Sequence, residues 1–262
     1  MTKLAIIGAA GRMGRRIAAL AVESGQFDVV AGLEPAGHDA IGADIGVLAG
    51  LGASGVKVAD VLGDMPDVAI DFSLPEGTSH WVEICKNHAI PMVIGTTGLT
   101  EKQEAAVAEA AMTIPIVKAG NYSLGINLLC GLLAQAARKL GEEYDVEISE
   151  THHRFKADAP SGTAIMLARA VCEAMGRDYE KAAVFGRKGK QPRRPGEIGI
   201  HALRIGDTVG EHSVHFGNLG ETVTFSHSAH TRDTFVRGAL RAGQWVVRQP
   251  PRLYSMRDVL GL

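Results

Sequence analysis

The chain has 262 residues, 46% of them hydrophobic and 21% charged, enough apolar material for one large core or two modest ones. A formal charge of −2 supplies no global field to draw the protein to nucleic acid or an anionic membrane. Three cysteines, Cys85, Cys130 and Cys172, are odd in number and show no paired spacing, which fits reduced thiols better than a disulfide framework. The opening Met-Thr-Lys-Leu-Ala-Ile-Ile-Gly has no long apolar leader, and no stretch resembles a membrane span. The expectation is a soluble, cytoplasmic protein.

Taken in chain order, Leu4–Ile7 is a short apolar run that ends at Gly8, and Arg12–Glu23 has apolar residues at helical spacing. Phe27–Leu33, Val68–Phe72, Met92–Ile94 and Ile116–Val117 read as further strands, with helices over Gly77–Asn87 and Glu101–Met112 between them. Near-uniformly apolar strands alternating with helices predict a parallel sheet covered on both faces, a doubly wound, Rossmann-like α/β domain. After Asn121 the pattern changes. Leu124–Leu140 reads as a long helix, Val146–Glu150 as an alternating strand and Ser161–Met175 as another helix. Ile200–Ile205, Ser213–Phe216 and Thr222–Ser228 alternate as half-buried antiparallel strands do. These elements predict a smaller α+β domain with a mixed sheet over 124–230. Thr231–Val247 returns to helical spacing, so 231–262 is expected to complete the domain formed by 1–123. Arg187–Arg194 holds five basic residues in eight; it reads as a solvated loop or, more sharply, as a mobile lid that attracts an anion.

Four turns follow predicted strands at one sheet edge, where ligands bind in open α/β sheets. The first, Gly8-Ala9-Ala10-Gly11-Arg12-Met13-Gly14, opens a helix whose N-terminus can meet a pyrophosphate. Gly8 permits a tight turn, Gly11 permits close backbone approach, and Gly14 permits close helix–strand packing. Glu34 ends the second strand, where a carboxylate can accept from an adenosine ribose. Gly95-Thr96-Thr97-Gly98 and Ala119-Gly120-Asn121-Tyr122 follow later strands. A lone glycine turn is weak evidence, but together they point to a dinucleotide.

The stretch Glu150–Thr163 puts His152, His153 and Lys156 within five positions and then enters a helix through Ser161-Gly162-Thr163. Such an entry offers unpaired N–H groups to an anion, beside groups able to move protons. Adjacent histidines on a strand point to opposite faces, so no metal site is expected.

With these residues together the chain resembles the dihydrodipicolinate reductase (4-hydroxy-tetrahydrodipicolinate reductase) family. The matching segments run nearly end to end: 8–14, Asp-Phe-Ser at 71–73, Pro-Glu-Gly-Thr at 75–78, 95–98, 150–163, 204–212 and 256–260. The resemblance implies NAD(P)H-dependent reduction of a cyclic dicarboxylate in the diaminopimelate route to lysine, in a homotetramer built through the second domain's sheet. It implies cofactor contacts from Gly8, Ala9, Ala10, Gly11, Arg12, Met13, Glu34, Gly95, Thr96, Thr97, Ala119, Gly120, Asn121 and Tyr122. It implies proton handling by His152 and Lys156, and substrate contacts from His153, Gly162 and Thr163. Relatives that use NADPH well often carry one arginine after the ribose-binding glutamate and another in the Asp-Phe-x-x-Pro-Glu-Gly-Thr segment. Pro35 and Leu74 stand at those places here. NADH and NADPH are therefore both expected to serve, with NADH favoured and with Arg12 or Lys3 as partial substitutes for the missing charges. Two other readings share part of the pattern: an aspartate-type dehydrogenase, which does not explain the His-His-Arg-Phe-Lys string, and a non-catalytic dinucleotide sensor.

Overall fold

Short, wholly apolar strands need cover on both faces, and helices between successive strands provide it. The computed structural model describes residues 1–262. Its elements begin with β1 (Thr2–Ile7), α1 (Arg12–Ser24), β2 (Phe27–Leu33), α2 (Ile45–Leu48), β3 (Val58–Ala59), β4 (Val68–Asp71), α3 (Pro75–Asn87), β5 (Met92–Ile94), α4 (Glu101–Ala110) and β6 (Pro115–Lys118). They continue with α5 (Leu124–Leu140), β7 (Asp145–His152), α6 (Gly162–Ala174), α7 (Tyr179–Ala182), β8 (Ala183–Phe185), β9 (Ile198–Arg204), β10 (Gly210–Asn218) and β11 (Glu221–Ala229). The chain closes with α8 (Asp233–Val246), β12 (Arg252–Tyr254) and α9 (Met256–Leu260). Met1–Leu124 and Asp233–Leu262 form one unit, and Gly125–Arg232 forms a second.

The first unit is an all-parallel sheet in the order β12-β6-β5-β4-β1-β2-β3. The order reverses between β1 and β4, which opens a crevice at their carboxyl ends. One face is covered by α1 and α8, whose Ile17, Leu20, Val236, Leu240 and Val246 join Leu4, Ile6 and Ile70 in one cluster. On the other face Trp81, Val82, Val107 and Ala110, from α3 and α4, pack on Ala5, Ile7, Met92 and Ile116. Each fully buried Val or Leu contributes about 1.5–3 kcal/mol, so removing α8 would uncover much of what holds the sheet to its helices.

The second unit is a five-stranded sheet, β11-β10-β7-β9-β8, backed by Leu133, Leu167, Ala168 and Val171. Its antiparallel pairs are β7 with β10 and β10 with β11. The expectation of an antiparallel strand near 200–205 fails: β9 runs parallel to both β7 and β8. The chain returns from β7 through α6, and a crossover of that kind delivers a parallel neighbour. In the basic segment two of the five cations are paired, while Lys188, Lys190 and Arg194 are exposed. Arg187 pairs with Glu147 (2.8 Å) and Glu197 (2.5 Å), and Arg193 pairs with Asp145 (2.7 Å) and Glu147.

Candidate active site

The first turn shows why the glycines stand where they do. Gly8 has φ +76°, and a Cβ there would lie 2.8 Å from the Phe72 carbonyl oxygen, just beyond β4. A Cβ on Gly14 would lie 2.1 Å from the Gly8 oxygen, so the first turn of α1 presses directly on the turn before it. Gly11 is the N-cap of α1 without a side-chain cap, and the first helical turn carries no acid. Those orphan N–H groups and the helix dipole make a cradle for a phosphate. Glu34 is buried, and its Oε1 accepts the Ala10 N–H at 2.7 Å. One carboxylate oxygen thus braces the turn.

Thr96 is buried beyond β5, while Thr97 is exposed. Ala119, Gly120 and Asn121 lie just beyond β6, so all four turns reach the same sheet edge. The side chain of Tyr122 points into the first unit. Its ring is buried, its hydroxyl donates to the Ile94 and Val117 carbonyls, and it packs against Phe72 at 5.7 Å. This side chain ties β5 to β6 and leaves only its backbone for a ligand. Lys3 departs from its expected part as a substitute charge. It sits near the amino end of β1, where its N–H donates to Asp67, and the dinucleotide edge is at the opposite end. Arg12 remains, exposed on the first turn of α1.

The second constellation grows from the alternation of β7. Val146, Ile148, Glu150 and His152 face inward, and the last two put a carboxylate and an imidazole where the strand meets the start of α6. The buried Glu150 takes two hydrogen bonds from Arg204, to Oε2 and Oε1 at 2.9 Å each. Its Oε2 meets His152 Nδ1 at 2.5 Å, and its Oε1 accepts the Ser161 N–H at 2.9 Å. Burial pushes the Glu150 carboxyl up, but Arg204, His152 and the Ser161 amide outweigh it and hold the group below its ordinary range. Holding Nδ1 in this way orients the His152 ring, whose Nε2 lies toward Gly210 on β10.

Arg204 also fixes the loop that follows. It donates to the Lys156 carbonyl at 3.3 Å and the Asp158 carbonyl at 2.5 Å. Lys156 Nζ pairs with Asp158 Oδ1 at 2.8 Å. Ser161 caps α6 by accepting the Ala164 N–H at 3.2 Å, and the first turn of that helix carries no acid. His153, half-buried, stacks at 6.3 Å from Phe155 rather than beside Glu150. The structure thus brings His152, Lys156, Gly162 and Thr163 to one end of the second unit. It adds Glu150, Ser161, Arg204 and His212, which no local motif marks as a group. No cluster of three or more metal-ligating side chains is present.

The family model described as dihydrodipicolinate reductase, N-terminus, matches residues 2–122, and its C-terminal counterpart matches 125–260. The chain belongs to the dihydrodipicolinate reductase family. It is 48% identical to the 4-hydroxy-tetrahydrodipicolinate reductase of Geotalea uraniireducens and 47% identical to that of Geobacter sulfurreducens, covering 100% of both chains in each case. Among solved structures, a dipicolinate-bound dihydrodipicolinate reductase from Paenisporosarcina sp. TG-14 superimposes with TM-score 0.78 at 26% identity, over 98% of each chain. A probable dehydrogenase from Thermotoga maritima, 11% identical with TM-score 0.60, shares the fold alone.

Proposed function

We infer that the chain is an NAD(P)H-dependent oxidoreductase that converts 4-hydroxy-tetrahydrodipicolinate to tetrahydrodipicolinate, in the diaminopimelate route to lysine. The observation that carries this reading is the full-length identity to reductases of that name. The dipicolinate in the Paenisporosarcina relative, a ring with two carboxylates, supports the substrate class. Purified protein should oxidise reduced nicotinamide only when the cyclic hydroxy dicarboxylate is generated in the cuvette by the preceding synthase. No substrate-dependent loss of absorbance with either NADH or NADPH would sink the reading. The sheet of the second unit, with Leu203 and Ile205 exposed on and just beyond β9, is the surface that the same reading assigns to assembly of four copies.

The glycine cradle, the uncapped start of α1 and Glu34 fit a dinucleotide pyrophosphate and ribose. When bound, the dinucleotide supplies the hydride that reduces the substrate ring. The chain's own residues do the rest. Backbone N–H groups of Gly162 and Thr163, with the Thr163 hydroxyl, hold one carboxylate at the start of α6. Lys156, carried on the loop that Arg204 pins, gives the proton that completes the reduction. His152, held at Nδ1 by Glu150, is the second proton-handling group of this reading.

Two expected results follow from this arrangement. Thr163→Val nearly preserves shape but removes a hydroxyl from a charged acceptor, which costs on the order of 1–3 kcal/mol. KM for the dicarboxylate should rise while KM for the dinucleotide stays constant; a change confined to the dinucleotide would mean that this turn faces the wrong ligand. The second result is cofactor preference. A 2′-phosphate near Glu34 meets a carboxylate already engaged with Ala10, the exposed Pro35 and Leu74, and as cations Arg12 and an Arg15 already donating to the Ala10 carbonyl at 2.6 Å. A missing charge-assisted contact is worth roughly 1.5–3 kcal/mol, or one to two powers of ten in affinity. Both dinucleotides should serve, with NADH favoured. Steady-state kinetics at one ionic strength check this, and a higher kcat/KM with NADPH would refute it.

A further inference from the structure

In β10 the inward-facing positions are Gly210, His212, Val214 and Phe216. Val214 and Phe216 belong to the core of the second unit, but the next place in the row holds an imidazole only 4% exposed. It lies opposite Glu150 on β7 and His227 on β11. A buried polar ring with no partner is costly, so its one hydrogen bond carries weight. That bond joins His212 Nε2 to Ser161 Oγ at 3.2 Å, and Nδ1 has no partner.

We propose, building on the reductase reading, that His212 is a positioning residue that locks the Ser161 hydroxyl, and through it the start of α6, in register with His152. Ser161 Oγ accepts the Ala164 N–H, and in the tautomer that carries the imidazole proton on Nδ1 its own proton goes to Nε2 of His212. That requires a neutral imidazole. Burial and the facing His152 push the His212 pKa down to about 4; Glu150 opposes the shift, and His227 and Lys156 add to it. The ring also meets His152 edge-on, with centroids 5.1 Å apart at 75°. A closed circuit results: His152 to Glu150, Glu150 to the Ser161 amide, the Ser161 hydroxyl to His212, and His212 back to the His152 ring. The helix start that binds a carboxylate and the His152 imidazole therefore cannot shift independently. Glu150 alone would tie His152 to the Ser161 backbone; His212 adds the hydroxyl and fixes the cap.

Comparing substitutions at this position separates positioning from packing. A glutamine amide reaches the place of Nε2 and can accept the Ser161 proton, an asparagine amide reaches only the place of Nδ1, and phenylalanine fills the space without an acceptor. His212→Gln should keep KM for enzymatically generated 4-hydroxy-tetrahydrodipicolinate within about threefold of the parent. His212→Phe and His212→Asn should raise it about tenfold, the scale of one lost hydrogen bond, with KM for NADH unchanged in all three. Ser161→Ala combined with His212→Phe should be no worse than the poorer single variant, because both remove the same bond. If the phenylalanine variant does not fold, as judged by thermal melting, the comparison of glutamine with asparagine decides. Parent-like KM in His212→Phe, equal impairment in glutamine and asparagine, or multiplied effects in the double variant would each overturn the positioning role. An inactive parent would instead overturn the reductase reading, and the inference with it.

Discussion

Lys156→Ala is expected to lower turnover by ~10²-fold or more, the range for loss of a general acid, while NADH still binds. The loop should survive the change. Its conformation rests on backbone bonds: the Lys156 N–H donates to His153, the Lys156 carbonyl accepts from Arg204, and Arg204 is anchored on the buried Glu150. The side chain contributes the ion pair with Asp158, whose carboxyl the ammonium draws below its ordinary range. That partner is exposed, so the ammonium can exchange it for a substrate carboxylate at little cost. His152→Ala should also reduce turnover, because it removes the ring that Glu150 orients. Stopped-flow turnover alongside NADH fluorescence titration checks both variants. Near-normal turnover in Lys156→Ala would require another proton donor.

Glu150→Ala is expected to be costly in stability as well as in rate. The carboxylate is fully buried and holds the Arg204 guanidinium, His152 and the Ser161 amide together. Removing one partner of a buried ion pair strands the other, at about 3–5 kcal/mol. The sign of the accompanying pH effect follows from the depressed folded-state pKa. The contribution is complete above the ordinary glutamate value of 4.5 and is lost as pH falls through the lower folded value. Urea unfolding of the parent should therefore show stability falling with acidification below about pH 4.5, and Glu150→Gln should flatten that slope. An unchanged slope in the glutamine variant would assign the acid sensitivity to other carboxylates.

Much of the first unit is legible in the chain because its strands are short apolar runs that end in glycine turns. No alternation is needed there; the runs Leu4–Ile7 and Met92–Ile94 announce buried parallel strands by composition alone. Three residues of β12 behind Pro250-Pro251 carry no such signal, since they become a strand only by pairing with the distant β6. The direction of β9 is equally hidden, because half-buried strands alternate with period two whichever way they run. The string at 150–163 stands out in the second unit through its unusual chemistry. Its supports are illegible for a different reason. Glu150 meets Arg204, and Ser161 meets His212, only once cross-strand register and the crossover through α6 are in place. Tyr122 shows a further limit: a turn residue at the ligand edge can point its side chain inward as readily as outward, and its sequence neighbours do not say which.

The completion of the first sheet by α8 and β12 has a consequence for the order in which the protein is made. A ribosome delivers β1 through β6 early, but Val236, Leu240 and Val246, which cover Leu4, Ile6 and Ile70, arrive only after the whole second unit. Until then α1 alone covers that face of the nascent sheet, and the part that α8 will cover is open to water and to other chains, a state prone to association. The second unit has its residues in one unbroken stretch and can close first. Dinucleotide-binding competence is therefore a property acquired near the end of synthesis, and a chain interrupted at residue 232 would carry all four ligand turns without the helix that steadies them.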